Sequence, residues 1–127
     1  MRNISVGDSV RLYKYETNMK GTNLGEFEEL VLLVTASLGE SAYTVAITDE
    51  INNKTNRSAV LSVVHTALHR LEKKGFVKSV LARATEERGG RRKRVFTISS
   101  AGMKALSNTK TQRDQLWELI PEVNIQK

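Results

Sequence analysis

The chain has 127 residues, a length that suits one domain with a real core and is too short for two. It contains no cysteine, which excludes disulfides, thiolate metal sites and cysteine nucleophiles. The formal charge is +6, but residues 54–94 carry twelve Lys or Arg against three Glu, a local net of +9 that leaves −3 for the rest. A positive potential concentrated in this way suits a polyanionic partner, either nucleic acid or an anionic membrane surface.

The sequence supports a membrane partner less well than nucleic acid. The longest apolar run, residues 30–34, is far too short to span a bilayer, and the N-terminus lacks the apolar stretch of a signal peptide. Binding to a membrane surface would need a basic amphipathic helix rather than a basic turn. The sequence therefore predicts a cytoplasmic protein whose partner is nucleic acid and not a membrane.

The first half of the chain predicts an N-terminal extension followed by two helices. Residues 1–24 are polar and form the extension. A helix is predicted over Glu26–Leu38, because apolar residues recur at helical spacing and three glutamates lie in its first turn, where the helix dipole favours anions. Gly39 ends this helix. A second helix is predicted over about Ala42–Asn53, after Ser41 as its N-cap.

A third helix is predicted over about Ala59–Lys74, closing at Gly75. Its core stripe consists of Leu61, Val64, Leu68 and Leu71. The opposite face consists of Ser62, Thr66, His69, Arg70 and Lys73, with His65 on its flank. Because that face is rich in hydrogen-bonding side chains and has no large apolar residue, it suits the reading of a DNA groove as well as contact with water.

A basic hairpin follows the third helix. The predicted strands are Phe76–Ala84 and Arg94–Ile98, and the segment between them ends in the sequence E-E-R-G-G-R-R-K-R at residues 86–94. Gly89 and Gly90 let the backbone turn with positive φ and approach a partner closely. The cations of this tip are Arg88, Arg91, Arg92, Lys93 and Arg94. They would repel one another unless water or a polyanion screened them, so the tip is either a solvated turn or a phosphate contact.

A final helix is predicted to start near Ser100, with Ser99 as its N-cap and Pro121 at or shortly after its end. Its apolar positions are Met103, Leu106, Leu116, Trp117 and Ile120. The complete order is that of an α+β winged helix-turn-helix: three helices, a two-stranded basic wing and a C-terminal helix. In such a domain the later helix of the pair enters the major groove of double-stranded DNA, and the wing reaches neighbouring phosphates.

Several sequence blocks resemble the PadR family of bacterial winged-helix regulators. These blocks are L-G-E-F-E at 24–28, L-G at 38–39 with A-Y at 42–43, H-T-A-L-H-R-L-E-K-K-G-F at 65–76, R-G-G-R-R-K-R at 88–94 and A-G at 101–102. The resemblance covers about residues 24–106. It implies a homodimeric transcriptional repressor, with a winged-helix DNA-binding domain over residues 25–99 and a C-terminal dimerisation helix and tail over residues 100–127.

The same resemblance assigns roles to individual residues. It implies that Tyr43 contacts phosphate, that His65 faces the DNA backbone, and that residues 89–94 form the wing. The chain departs from the family where its recognition helix opens, because the usual serine, glycine and alanine are replaced by Val60, Ser62 and Val63. Ser58 is the alternative cap for that helix. Further departures are Thr44 in place of a glycine and V-F at 95–96 in place of two tyrosines.

Other functions are less well supported by the sequence. Trp117 is either a stacking platform for a flat aromatic effector between C-terminal helices, as the resemblance implies, or an ordinary dimer-interface aromatic. His65, His69 and Glu72 share one helix surface, but they are better explained as polar residues of the recognition face than as metal ligands. No cofactor is expected. No nucleophile, base and orienting acid can be named, so we do not expect an enzyme.

A winged helix that serves as a protein-interaction adaptor, without specific DNA binding, is the alternative function. The five cations of the wing argue against it, because removing those charges from water at a protein interface would be costly.

Overall fold

The architecture is a winged helix-turn-helix followed by a long C-terminal helix, in agreement with the sequence. A computed structural model describes residues 23–82 and 93–122. Within these ranges the elements are α1 (Glu26–Leu38), a 3-10 turn (Gly39–Ser41), α2 (Thr44–Thr55), α3 (Leu61–Lys73), β1 (Val77–Leu81), β2 (Arg94–Ile98) and α4 (Ser100–Glu118). The predicted N-terminal extension lies almost wholly outside the described residues, as do residues 123–127 of the tail.

Helix α1 has the predicted bounds. It ends where Gly39 adopts φ 57° and ψ −122°, and glycine tolerates such a positive φ better than other residues. At its start, the Glu28 carboxylate accepts a hydrogen bond from the Gly25 backbone at 3.3 Å. The first-turn glutamates thus satisfy part of the open helix end as well as its dipole.

Helix α2 begins two residues later than predicted, and Ser41 is not its cap. Tyr43 occupies the N-cap position, in an extended conformation with φ −91° and ψ 157°. The reason is a tertiary contact: the Phe96 backbone N–H donates to the Ala42 carbonyl at 3.0 Å, and Tyr43 forms a β-bridge with Val95. Residues 42 and 43 are therefore held beside β2 instead of entering the helix.

Helix α3 also begins later than predicted, at Leu61, with Val60 as its N-cap. Ser58, the alternative cap, lies two residues before that position. Leu61 was predicted to belong to the core stripe, but its side chain is 48% exposed because it opens the helix and has no preceding turn to cover it. The first strand ends at Leu81 rather than Ala84, and residues 83 and 84 lie outside the described ranges.

One core joins the helices to the wing. Its fully buried large side chains are Val31 and Leu32 of α1, Ile47 and Ile51 of α2, Val64, Leu68 and Leu71 of α3, and Val77 of β1. Burying each such side chain contributes roughly 1.5–3 kcal/mol. The strands pair antiparallel from Val77 opposite Ile98 to Leu81 opposite Arg94, and Phe96 packs into the core from the wing.

Helix α4 is seated on the core by its first two turns. The Ser99 hydroxyl accepts a hydrogen bond from the Gly102 backbone at 3.1 Å, which confirms the predicted cap, and donates to the Gly75 carbonyl at 2.6 Å. Gly102 and Leu106 are buried, whereas every residue from Lys110 to Glu122 is exposed. None of the helices in the described ranges is long and apolar enough to cross a membrane.

Replacing Gly102 with alanine is expected to lower the free energy of unfolding by roughly 1–3 kcal/mol, as overpacking does. A Cβ at this position would lie 2.3 Å from the backbone carbonyl oxygen of Phe76 and 2.8 Å from the side chain of Ile98. Calorimetric unfolding of the Gly102→Ala variant measures the effect. The matched control is Gly25→Ala, where an added Cβ meets nothing within 4 Å. An unchanged melting temperature for Gly102→Ala would show that α4 is not packed closely at this point.

Candidate nucleic-acid interface

The outer face of α3 is a polar surface opposite the core. Successive residues turn by about 100° around a helix, so Ser62, Thr66, His69 and Lys73 fall within an arc of roughly 60° facing away from Val64 and Leu71. Arg70 and His65 lie on either flank of this arc. All six predicted contact residues of α3, namely Ser62, His65, Thr66, His69, Arg70 and Lys73, are exposed. We call these six residues the outer face of α3.

One flank of the outer face borders the beginning of α1. Ser62, Thr66 and Arg70 line a groove of about 630 Å³ whose opposite wall includes Glu26 and Glu28. Acidic residues at this edge would repel a polyanion if their charges were not compensated. The structure compensates both, because Arg57 forms an ion pair with Glu26, and Lys74 contacts Glu28 at 2.7 Å.

The other flank of the outer face is tied to the wing. The Arg94 guanidinium donates a hydrogen bond to the Ser79 hydroxyl at 3.0 Å, and that hydroxyl donates to the Glu72 carboxylate at 2.9 Å. Arg94 lies two residues before the buried Phe96 and therefore on the same face of the hairpin, which is the face turned toward the helices. These two hydrogen bonds hold Arg94 beside α3. The Arg94 guanidinium has further N–H groups that can donate to another partner.

Tyr43 and Lys93, which are distant in sequence, are brought together at the start of α2. The Lys93 ammonium nitrogen lies 4.8 Å from the centroid of the Tyr43 ring, a cation–π arrangement. Helices α2 and α3 lie wholly within the described residues, and neither has an acidic residue in its first turn. Their first turns thus carry no negative charge of their own, and their positive dipole ends add to the attraction for phosphate.

Most of the predicted wing tip lies outside the described residues. Arg88, Gly89, Gly90, Arg91 and Arg92 lie outside the described residues. Lys93 and Arg94 are described and are exposed. The contact roles predicted for these residues, and for the outer face of α3, remain predictions.

His65 and His69 are exposed on α3, and Glu72 accepts the hydrogen bond from Ser79. Within residues 23–82 and 93–122, no group of three His, Cys, Asp or Glu residues is arranged to hold a metal ion.

The distal part of α4 carries exposed apolar side chains. Leu116 and Trp117 lie in the last turn of α4, and Leu119 and Ile120 lie directly after it. All four are exposed, and Trp117 is 69% exposed. We call these four residues the α4 apolar cluster. Arg113, one turn earlier, pairs with Glu29 of α1 at 3.0 Å and links α4 to α1. A group of large apolar residues left in water in this way is typical of an interaction surface.

Asn52 is a positioning residue that the sequence did not reveal. Its side-chain amide donates to the Ala59 carbonyl at 2.9 Å and accepts from the Ala59 backbone N–H at 2.8 Å. Both polar groups of Ala59 are thereby satisfied in the connection between α2 and α3. An amide that spans seven residues has no local sequence signature, so periodicity and capping preferences could not identify it.

Substituting Asn52 with alanine is expected to lower the free energy of unfolding by roughly 1–3 kcal/mol, because two hydrogen bonds are lost and the groups of Ala59 lose their partners. Urea denaturation measures this change. Asn53→Ala is the matched control. Asn53 is exposed on the same helix, and replacing it with alanine raises the helix propensity by the same amount. Equal stabilities of the two variants would contradict a structural role for the amide.

Comparisons with known proteins agree with this architecture. The sequence model of the Transcriptional regulator PadR-like family matches residues 31–108. No curated protein is significantly similar to the chain in sequence.

Solved structures of PadR regulators share the fold at low sequence identity. A PadR-like transcriptional regulator from Bacillus cereus is 14% identical, with a TM-score of 0.65 over 86% of this chain and 97% of that one. A PadR family regulator from Eggerthella lenta is 18% identical, with a TM-score of 0.60 over 95% and 97%. One from Clostridium difficile is 23% identical, with a TM-score of 0.55 over 72% and 92%. The chain belongs to the PadR-like family of transcriptional regulators.

Proposed function

We propose that this protein is a sequence-specific repressor that binds double-stranded DNA as a homodimer. The observation that carries the proposal is the placement of two wing cations, one beside α3 and one at the start of α2. Arg94 is linked to α3 through Ser79 and Glu72, and Lys93 stacks on Tyr43 at the start of α2. A polar helix face flanked by such groups suits a groove bordered by phosphates.

In the proposed complex, α3 lies in the major groove, which is wide enough to admit an α-helix. Ser62, Thr66, His69 and Arg70 meet base edges, while Lys73 and His65 lie closer to the backbone. Tyr43, Lys93 and the remaining cations of the wing hold phosphate. Thr66 donates its hydroxyl to the Ser62 carbonyl at 3.0 Å, so its hydroxyl oxygen is left to accept a hydrogen bond from a base.

The α4 apolar cluster supports a homodimer. Four large apolar side chains at the end of one helix exceed what that helix buries against its own core, where Leu106 is its one large buried side chain in the described residues. A two-fold axis through α4 would present two α3 helices to successive major grooves, roughly 34–36 Å apart. A dimer bound in this way across a promoter blocks access to that DNA, which is the proposed basis of repression.

Trp117 supports a second role for the same surface. In a dimer built on α4, its indole would lie between the two subunits, where a flat aromatic effector could stack on it. An effector that binds there and changes the spacing of the two α3 helices would relieve repression. The alternative is that Trp117 is simply an interface side chain.

The adaptor and enzyme alternatives receive less support. Lys93 and Arg94 are exposed cations, and desolvating them at a protein interface would be costly. The family consists of transcriptional regulators, and we assign no catalytic role to any residue.

Base contacts and phosphate contacts should respond differently to mutation. Arg70→Ala and Thr66→Ala are each expected to weaken binding to a duplex selected from a random pool by roughly 1–3 kcal/mol, with random DNA nearly unaffected. Lys93→Ala should weaken both and reduce the salt dependence, since each phosphate contact contributes about −0.9 to the log–log slope. Fluorescence anisotropy at several salt concentrations measures both quantities.

The control for these variants is Lys104→Ala, which removes an exposed cation from α4, away from the proposed interface. Equal losses for the selected and the random duplex in Arg70→Ala and Thr66→Ala would mean that α3 holds phosphate and does not read bases. Failure of the selection to enrich any duplex would overturn the proposed function itself.

Double substitution of Leu116 and Trp117 with serine should convert the dimer to a monomer, because it removes the centre of the apolar cluster. Light scattering measures the mass. These point changes are preferable to deletion of α4, which would also remove the buried Leu106. The control is Val80→Ser, an exposed valine on the wing. A Leu116→Ser, Trp117→Ser protein that stays dimeric would place the interface elsewhere.

A further inference from the structure

The first turn of α3 is apolar and exposed, which neither the core nor the polar outer face explains. Val60 is 56% exposed, Leu61 is 48% exposed and Val63 is 49% exposed. The first side chain of α3 to be fully buried is that of Val64. We call Val60, Leu61 and Val63 the first-turn cluster.

The first-turn cluster occupies the end of α3 that approaches the bases most closely in helix-turn-helix complexes, where the N-terminal residues of the recognition helix contact base edges. Leu61 and Val63 are adjacent to Ser62, which points directly outward. They lie about 200° apart around the helix axis and therefore on opposite sides of Ser62. Val63 is on the side of α1, where it borders a groove with Phe27, and Leu61 is on the side of His65.

The major groove offers one apolar group to such side chains, the C5-methyl group of thymine. The other base-edge groups in the groove are hydrogen-bond donors and acceptors, which valine and leucine cannot satisfy. A polyanion also fits the electrostatics of this end of α3, because its helix dipole is positive there and its first turn has no acidic residue. Thymine-bearing duplex DNA matches both the apolar side chains and the charge around them.

We propose that Leu61 and Val63 read the methyl groups of thymines on two different base pairs, one on each side of the base pair that Ser62 faces. This inference rests on the proposed DNA binding and specifies which base the first turn of α3 selects. Each methyl group is removed from water on contact, and one buried methyl group corresponds to about a fourfold change in affinity.

The test replaces thymine with deoxyuridine, one position at a time, in a duplex selected from a random pool by the wild-type protein. Deoxyuridine keeps every hydrogen-bonding group of thymine and lacks only the methyl group. At two positions in each half-site, the substitution is expected to weaken binding about fourfold. At the remaining thymines it should leave the affinity unchanged.

Protein variants assign each sensitive position to a side chain. Val63→Thr keeps the shape of valine and replaces one methyl group by a hydroxyl, and Leu61→Ala shortens the other side chain. Each variant should lose the sensitivity to deoxyuridine at its own position and keep it at the other, as a double-mutant cycle requires for direct contact. Leu33→Ala, at an exposed leucine of α1, is the control and should keep both sensitivities.

The outcomes separate this inference from the proposed function. Specific binding that is insensitive to deoxyuridine at every position would overturn thymine reading and leave the repressor proposal intact. Sensitivity that persists unchanged in both variants would assign the methyl contacts to other residues and overturn the role of Leu61 and Val63. Because the deoxyuridine scan uses the wild-type protein, its result does not depend on whether the variants fold.

Discussion

The pairing of Ala42 and Tyr43 with β2 is the constraint on which the rest of the arrangement depends. It joins the start of the helix-turn-helix to the wing through the hydrogen bond from Phe96 to Ala42 and the bridge between Tyr43 and Val95. Ala42 is fully buried at this contact. The same hairpin is tied to α3 by the hydrogen bonds from Arg94 to Ser79 and from Ser79 to Glu72. The wing is therefore fixed to both helices of the pair.

Helix α1 supports the elements assigned to DNA and to the dimer through two adjacent glutamates. Glu28 pairs with Lys74, just after the end of α3, and Glu29 pairs with Arg113 in the middle of α4. The Glu28–Lys74 pair is the better shielded, with side chains 12% and 18% exposed, whereas Arg113 is largely in water and its pair is worth at most about 1 kcal/mol. Adjacent residues of α1 thus contact both helices, and in the proposed regulation we assign to α1 the coupling between an effector at Trp117 and α3.

Local signals in the sequence were sufficient for most of the fold. Helical spacing of apolar residues placed α1 and the buried side of α3, and the capping preference of serine placed the start of α4 at Ser99. The predictions of the start of α2 and of the connection after it were wrong or incomplete, because contacts with distant segments decide the local conformation there. Ala42 has the sequence context of a helix start, but its pairing with a strand more than fifty residues away takes it out of the helix. Asn52 likewise gains its partner only once the turn to Ala59 has formed.

Periodicity likewise predicts one part of the candidate interface and misses another. The outer face of α3 follows from residue spacing alone, whereas the stacking of Lys93 on Tyr43 depends on the path of the wing. Val60 opens α3 with a side chain that cannot cap a helix, and Leu61 and Val63 expose apolar surface beside it. Val60 and Val63 are also two of the positions at which the sequence comparison with the family predicted a departure from its usual residues. Natural proteins break local rules mainly at functional sites, and an apolar first turn on the helix that we propose enters the major groove is chemically suited to thymine methyl groups.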